Sequence, residues 1–284
     1  MTKEAIIGVD LGGTKVSLGK VKENKIIEHI SSDISARGSE KQILREIIQA
    51  IQEIFDPGVA GIGVGVPSVV DVEKGIVYEV QNIASWKKVP LKEILESHFH
   101  KPVYVNNDAN CFAVGEKHFG KGRKYSNFVG VTLGTGLGTG IIINDRLYCG
   151  PNCGAGEFGS IPYKESILEY YCGGQFFMGE YGIKGDQVHA RAKQGDKNAL
   201  EIFEQFGTHV GEAMMIIMFA VDPEAIILGG AVTQSFSFFE KSMRERMKTF
   251  PYKHAVERLV IETTDQPQIA ILGAAALHYD AQLR

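Results

Sequence analysis

The sequence predicts a duplicated α/β architecture, and three observations carry that reading. Gly8-Val9-Asp10-Leu11-Gly12-Gly13-Thr14 aligns with Gly130-Val131-Thr132-Leu133-Gly134-Thr135-Gly136, matching at Gly, Val, Leu and Gly. Each copy follows an apolar strand and leads into another, Val16–Val21 after the first and Ile141–Ile143 after the second, so both read as strand, glycine turn, strand. Two further apolar runs, Gly61–Val66 and Ala225–Leu228, stop at the turn residues Pro67-Ser68 and Gly229-Gly230, as buried strands do. Helical patterns lie between the strands. Ile43, Leu44, Ile47, Ile48, Ile51, Ile54 and Phe55 keep a three-to-four spacing, and residues 200–219 and 269–278 carry longer helical patterns. Asn144-Asp145, both tolerant of positive φ, predict a tight turn into Arg146-Leu147-Tyr148.

A chain of 284 residues has room for two domains or one large one. Its 30 basic and 34 acidic side chains leave a net charge of −4. That balance offers no footprint for nucleic acid or an anionic membrane, so small-molecule chemistry is the expected class. The longest apolar run, Ala213–Val221, falls far short of the ~20 residues of a membrane span and reads as buried helix. The start of the chain passes from Lys3-Glu4 straight into Ala5-Ile6-Ile7-Gly8-Val9 without an apolar signal core, which makes the cytoplasm the expected location. There Cys111, Cys149, Cys153 and Cys172 are expected to stay reduced.

Glycine accounts for 33 residues, well above the usual ~7%. Glycine turns between strands let backbone N–H groups surround an anion, because no Cβ blocks the approach. One such turn alone reads as a plain hairpin; two aligned ones point to phosphate. Gly115 to Gly120-Lys121 begins like a phosphate-binding loop but has Gly122 where Ser or Thr should hold magnesium, and no dinucleotide-binding glycine register is present. Asp10 lies within the first turn, where its charge would repel phosphate unless a cation intervened. Mg²⁺ resolves this, since it keeps its waters and needs only one or two carboxylates; the competing reading is an Asp that caps its own turn. The segment from Val103 to Glu116 is a strand leading directly into a helix, with Asp108 at the junction. Asp108 is either a helix cap or a carboxylate held ionised by the helix dipole, as a base accepting a hydroxyl proton must be. Asn107 and Asn110 are alternative caps.

These elements, in this order, resemble the ROK family of sugar kinases and repressors, within the actin/hexokinase/Hsp70 ATPase superfamily. The resemblance runs over essentially the whole chain. It rests on 7–15, on Gly63-Val64-Gly65-Val66-Pro67, and on Asn107-Asp108-Ala109-Asn110. It continues through Leu133-Gly134-Thr135-Gly136-Leu137-Gly138, Gly154-Ala155-Gly156-Glu157-Phe158-Gly159 and Leu228-Gly229-Gly230. The resemblance implies a two-lobed, ribonuclease H-like fold with the active site in the interlobe cleft, one lobe formed by residues 1–119 with 271–284 and the other by 120–270. It implies ATP and Mg²⁺ as cofactors, a sugar as substrate, and a homodimer. Asp108 becomes the catalytic base, and Asn107, Glu157, Gly65 and the loop residue Asn82 lie on the sugar side. Asp10 would hold Mg²⁺ through water. Gly12, Gly13, Thr14, Gly134, Thr135, Gly136 and Gly138 would hold phosphates, with Gly229 and Gly230 near the adenosine.

One departure stands out. The family's Glu-x-Gly-His is Glu157-Phe158-Gly159-Ser160 here, and its zinc-binding cysteine knuckle is missing. Glu169 looks like the sugar-binding Glu that normally follows that knuckle, so no zinc is expected; Cys149, Cys153 and Cys172 lack paired short spacings for a replacement site. The expected activity is a glucokinase-like transfer of phosphate to a hexose, giving the 6-phosphate. N-acetylmannosamine, N-acetylglucosamine, mannose or fructose are alternative substrates. A sugar-responsive regulator is the alternative class, disfavoured by the five residues or so before the first strand and by the negative charge.

Overall fold

The computed structural model describes residues 4–80, 83–151 and 153–282. In chain order the first elements are β1 (Ala5–Leu11), β2 (Lys15–Lys22), β3 (Lys25–Asp33), α1 (Glu40–Ile54), β4 (Val59–Val66), β5 (Val69–Asp71), β6 (Ile76–Tyr78) and β7 (Lys88–Val89). They continue with α2 (Leu91–Phe99), β8 (Val103–Asn107), α3 (Asp108–His118), β9 (Phe128–Leu133), β10 (Leu137–Ile143), β11 (Arg146–Tyr148), β12 (Pro162–Tyr163), β13 (Ser166–Ile167) and α4 (Leu168–Cys172). The last are α5 (Gln175–Tyr181), α6 (Gly185–Lys193), α7 (Lys197–Val221), β14 (Ala225–Gly229), α8 (Phe236–Met247), α9 (Lys253–Arg258), β15 (Val260–Thr263) and α10 (Ile269–Gln282).

Two five-stranded sheets have the orders β3-β2-β1-β4-β8 and β11-β10-β9-β14-β15. In each, the strand that carries the repeated motif is central. β1 pairs parallel with β4 and β9 parallel with β14, and the parallel run extends to β8 and β15 respectively. The repeat seen in the sequence is therefore a repeat of topology. Asn144 and Asp145 turn β10 into β11 with φ of 51° and 66°, the positive pair that a two-residue hairpin requires.

The chain groups into two compact units. Unit 1 holds the described residues up to Lys124, Gly140–Ala155, and those from Asp265 onward. Its core is aliphatic, built on Val9, Ile47, Ile62 and Val64 with the fully buried Trp86. Ser39 caps α1 by accepting the Gln42 N–H, and the buried face of that helix is the three-to-four stripe of the sequence. α10 lies directly on β1 and β4. A Cβ on Gly63 would stand 1.8 Å from the Ala274 carbonyl oxygen, and one on Gly8 2.1 Å from that of Ile271, so only glycine lets the helix backbone settle on the sheet.

Unit 2 holds Tyr125–Thr139 and Gly156–Thr264. Its core is aromatic, with Phe177 packed on Phe203 and Phe206 at ring-centroid distances of 5.3 and 5.1 Å. Asp196 caps α7 by accepting the Ala199 N–H, and Met214, Met215 and Met218 of that helix are buried packing. No described helix is long and apolar enough to cross a membrane.

Candidate active site

In unit 1 the candidate residues gather where the parallel strands end, the edge at which open α/β sheets bind ligands. Strand register sets Asp10 beside Gly65, Gly65 beside Asn106, and Val66 beside Asn107. After β1 the chain turns tightly, the Gly12 N–H donating to the Lys15 carbonyl at 2.8 Å, while Thr14 is exposed and its carbonyl accepts the Ile34 N–H at 2.9 Å. Asp10 is half-buried, and desolvation raises its carboxyl above the ordinary range. Among the described residues no hydrogen bond or ion pair reaches that carboxylate. A lone, partly desolvated carboxylate at a strand end suits a hard cation with its waters.

Asn107 is the cap of α3. Its Oδ1 accepts the N–H groups of Ala109 at 2.8 Å and Asn110 at 3.4 Å, and its Nδ2 donates to the Ser68 carbonyl at 3.3 Å, leaving one N–H to offer a ligand. Asp108 is exposed at the first helical position, with one carboxylate oxygen accepting the Ala109 N–H at 2.8 Å. Beneath it Asn106, 1% exposed, accepts the Asn107 N–H at 2.8 Å and the Asn110 side chain at 2.9 Å. Sequence reasoning passed over Asn106 as a support; the run Asn106-Asn107-Asp108-Ala109-Asn110 was its only signal. Gly65 faces Cys111, whose sulfur would lie 3.1 Å from a Cβ there. Asn82 lies outside the described residues.

In unit 2 the second glycine turn is closed by the Gly134 N–H donating to the Gly136 carbonyl at 3.0 Å. The Gly173-Gly174 segment backs it: the Gly174 N–H reaches the Gly134 carbonyl at 2.8 Å and the Gln175 N–H the Thr135 carbonyl at 3.2 Å. A Cβ on Gly134 would meet nothing within 4 Å, so this turn faces open space. A cavity of about 700 Å³ starts at Gly134 and Thr135 and runs past Gln175, Phe177 and Phe203 to Val232 and Gln234, a size and an apolar lining typical of small-ligand sites. Gly138 lies within β10, its carbonyl accepting the Thr132 hydroxyl at 3.4 Å. Gly229 ends β14. Gly230 takes φ of +89° with no room for a Cβ beside the Leu133 carbonyl, and together they launch the short turn Ala231–Ser235 that walls the cavity.

Glu157 and Glu169 come together in the same unit. A Cβ on Gly136 would stand 2.4 Å from the Glu169 carboxyl carbon, so Glu169 borders the glycine turn. Desolvation, and then the Glu169 charge, raise the Glu157 carboxyl. Aromatic packing secures this region. The Tyr163 hydroxyl meets His209 Nδ1 at 3.0 Å, and the Tyr171 and Phe176 rings pack on the same imidazole at 5.1 and 5.4 Å. The β12–β13 hairpin and α4, which carries Glu169, are thereby held on α7. Burial lowers His209 to about 4, so the ring is neutral near pH 7, and burial pushes Tyr163 up to about 12. Among the described residues no group of three His, Cys, Asp or Glu side chains is placed to hold a metal ion.

The ROK family profile matches residues 6–281. The chain belongs to the ROK family. It is 30% identical to the glucokinase of Thermotoga maritima over 98% of both chains. The xylose repressor of Caldicellulosiruptor bescii is 27% identical, matching 96% of this chain and 77% of the repressor. In structure, a ROK family glucokinase from Streptomyces griseus in complex with glucose and AMPPNP superposes with a TM-score of 0.81 at 28% identity, covering 96% of this chain and 98% of that one.

Proposed function

We propose that this chain is an ATP-dependent hexose kinase of the glucokinase type, moving the γ-phosphoryl group of ATP to a primary hydroxyl and giving the 6-phosphate. The observation that carries the reading is that Asn107 caps α3, which leaves Asp108 an exposed carboxylate at a helix start. In this reading the sugar oxygen attacks the γ-phosphorus, the bond to the ADP oxygen breaks, and Asp108 takes the hydroxyl proton. Asn107, with its spare N–H, and the Glu157–Glu169 pair bind sugar hydroxyls, and Gly65, on the strand beside Asn106, lets Cys111 of α3 pack close beneath them. The turns at Gly12–Thr14 and Gly134–Gly136 offer backbone N–H groups to phosphates, aided by Gly138, and the cavity walled by the Gly229-Gly230 turn takes the nucleoside. Asp10, a partly desolvated carboxylate that no described hydrogen bond or ion pair reaches, would hold Mg²⁺, which would supply charge neutralisation at the phosphates.

The packing of the hairpin on His209 supports a placement of Glu169 that needs no zinc. A screen of ADP release across a panel of hexoses and N-acetylhexosamines, with and without EDTA, tests the reading. The expected result is metal-dependent turnover with glucose among the best acceptors. A protein that transfers phosphate to none of them yet binds a specific DNA sequence would instead be a regulator like the xylose repressor.

A further inference from the structure

Asn106 meets two thiols. Its Nδ2 lies 3.6 Å from Cys149 Sγ, and its Oδ1 lies 4.0 Å from the Cys153 thiol; Asn110 Nδ2 lies 3.9 Å from the same Cys149 sulfur. The two cysteines, four residues apart, thus converge on one buried amide. Two backbone hydrogen bonds tie the cysteine segments together. The Ala155 N–H donates to the Cys149 carbonyl at 3.1 Å and the Cys153 N–H to the Gly150 carbonyl at 3.4 Å, and Cys153 holds φ of +56°, where glycine is the ordinary choice. A cavity of about 440 Å³, lined by both cysteines with Asp71, Glu73 and Tyr78, gives a small molecule access. Cys149 is half-buried and Cys153 is 7% exposed.

We propose that Cys149 and Cys153 are a redox modification site whose substrate is a small disulfide of the oxidised-glutathione class, and that closing their bridge slows phosphoryl transfer. The Cys149 thiolate, the more exposed, attacks one sulfur of the small disulfide; the other sulfur leaves as a thiolate and takes a proton. Cys153 then attacks Cys149 Sγ, the mixed S–S bond breaks, and the second small thiol leaves with the Cys153 proton. Two protein thiols are oxidised and one small disulfide is reduced to two thiols. In a reducing compartment such a bridge is transient and senses redox state. Cys111 and Cys172 are buried with their thiols pushed up, so they do not compete. The bridge has no S–H to donate to Asn106 Oδ1, the same oxygen that holds the Asn107 N–H and the Asn110 side chain, and the loss passes to the start of α3 where Asp108 projects.

The activity part of this proposal rests on the kinase reading; the chemistry does not. The protein is incubated with millimolar oxidised glutathione, mapped by peptide mass spectrometry and assayed for sugar phosphorylation. A loss of two hydrogens confined to the peptide holding Cys149 and Cys153 is expected, with kcat lowered by about fivefold or more, sugar KM changed by less than about twofold, and full recovery in dithiothreitol. C153S keeps a hydroxyl donor toward Asn106; it should be as active as the reduced protein, and oxidation should leave one glutathione on Cys149 with no bridge. Absence of the crosslink overturns the proposal whatever the protein phosphorylates, and so does a crosslink that leaves kcat unchanged. A reduced protein that phosphorylates no sugar defeats the kinase reading instead, and the thiol site is then judged on the crosslink alone.

Discussion

Asp108→Asn separates a base from a cap because the cap on α3 belongs to Asn107, which accepts the N–H groups of Ala109 and Asn110. Asparagine at 108 keeps an oxygen for the Ala109 N–H that Asp108 now accepts at 2.8 Å, and removes a charge in the first helical turn. That charge is worth about 0.3–1 kcal/mol, a shift of a few degrees or less in Tm for a chain of this size. Loss of a general base lowers turnover by about 10²–10⁴, equivalent to roughly 3–5 kcal/mol on the barrier. The kinetic effect should therefore exceed the stability effect several-fold. Both are measured on one preparation, turnover by coupled ADP release and stability by calorimetry. Asn107→Ala is the control for the cap, with about 0.5–2 kcal/mol of stability lost. A folded Asp108→Asn protein with turnover within a few-fold of the native enzyme would refute the base assignment.

Asp10, raised by desolvation, is a group whose protonation the folded state favours, so its contribution to stability is present below the unfolded pKa and lost as pH rises through the folded one. Asp10→Asn should accordingly melt at a higher temperature than the native protein at neutral pH without metal, while millimolar Mg²⁺ raises the Tm of the native protein only. Glu169→Gln removes a charge-assisted acceptor worth about 1.5–3 kcal/mol, so sugar KM should rise about tenfold or more with ATP KM nearly constant. Glu157 is raised by desolvation first and by the Glu169 charge second, so the same variant should carry the acid limb of sugar binding to lower pH, as read from KM against pH. Gly63→Ala drives a methyl group into the Ala274 carbonyl and should lose at least about 1–3 kcal/mol in a urea titration.

Much of the fold was legible because the signals were local. The repeated strand–glycine–strand motif, the apolar runs at Gly61–Val66 and Ala225–Leu228, and the Asn144-Asp145 turn each state their conformation within a few residues. β3 was not legible: it is an edge strand whose Ile27 is 57% exposed, so no alternation between a wet and a dry face marks it. The two kinds of glycine also look alike in sequence. Gly12 opens a turn and Gly63 admits a helix backbone, and the helix that distinguishes them lies at the other end of the chain. At the site, Asn107, Asp108 and Asn110 are all good capping residues, and only side-chain geometry decides which one serves. The support given to α4 by Tyr163 and His209 was invisible for the same reason, since its parts are 46 residues apart.

α10 completes unit 1 but is translated after the whole of unit 2. While the ribosome adds the residues between Lys124 and Gln282, β1 and β4 are already outside it with their glycine-lined face uncovered. At the usual 5–20 residues per second this interval lasts roughly 10–30 s. Unit 2, drawn from Tyr125–Thr139 and Gly156–Thr264, is fully synthesised before α10 is. The glycine-lined face of the first sheet therefore waits for the last helix of the chain to cover it.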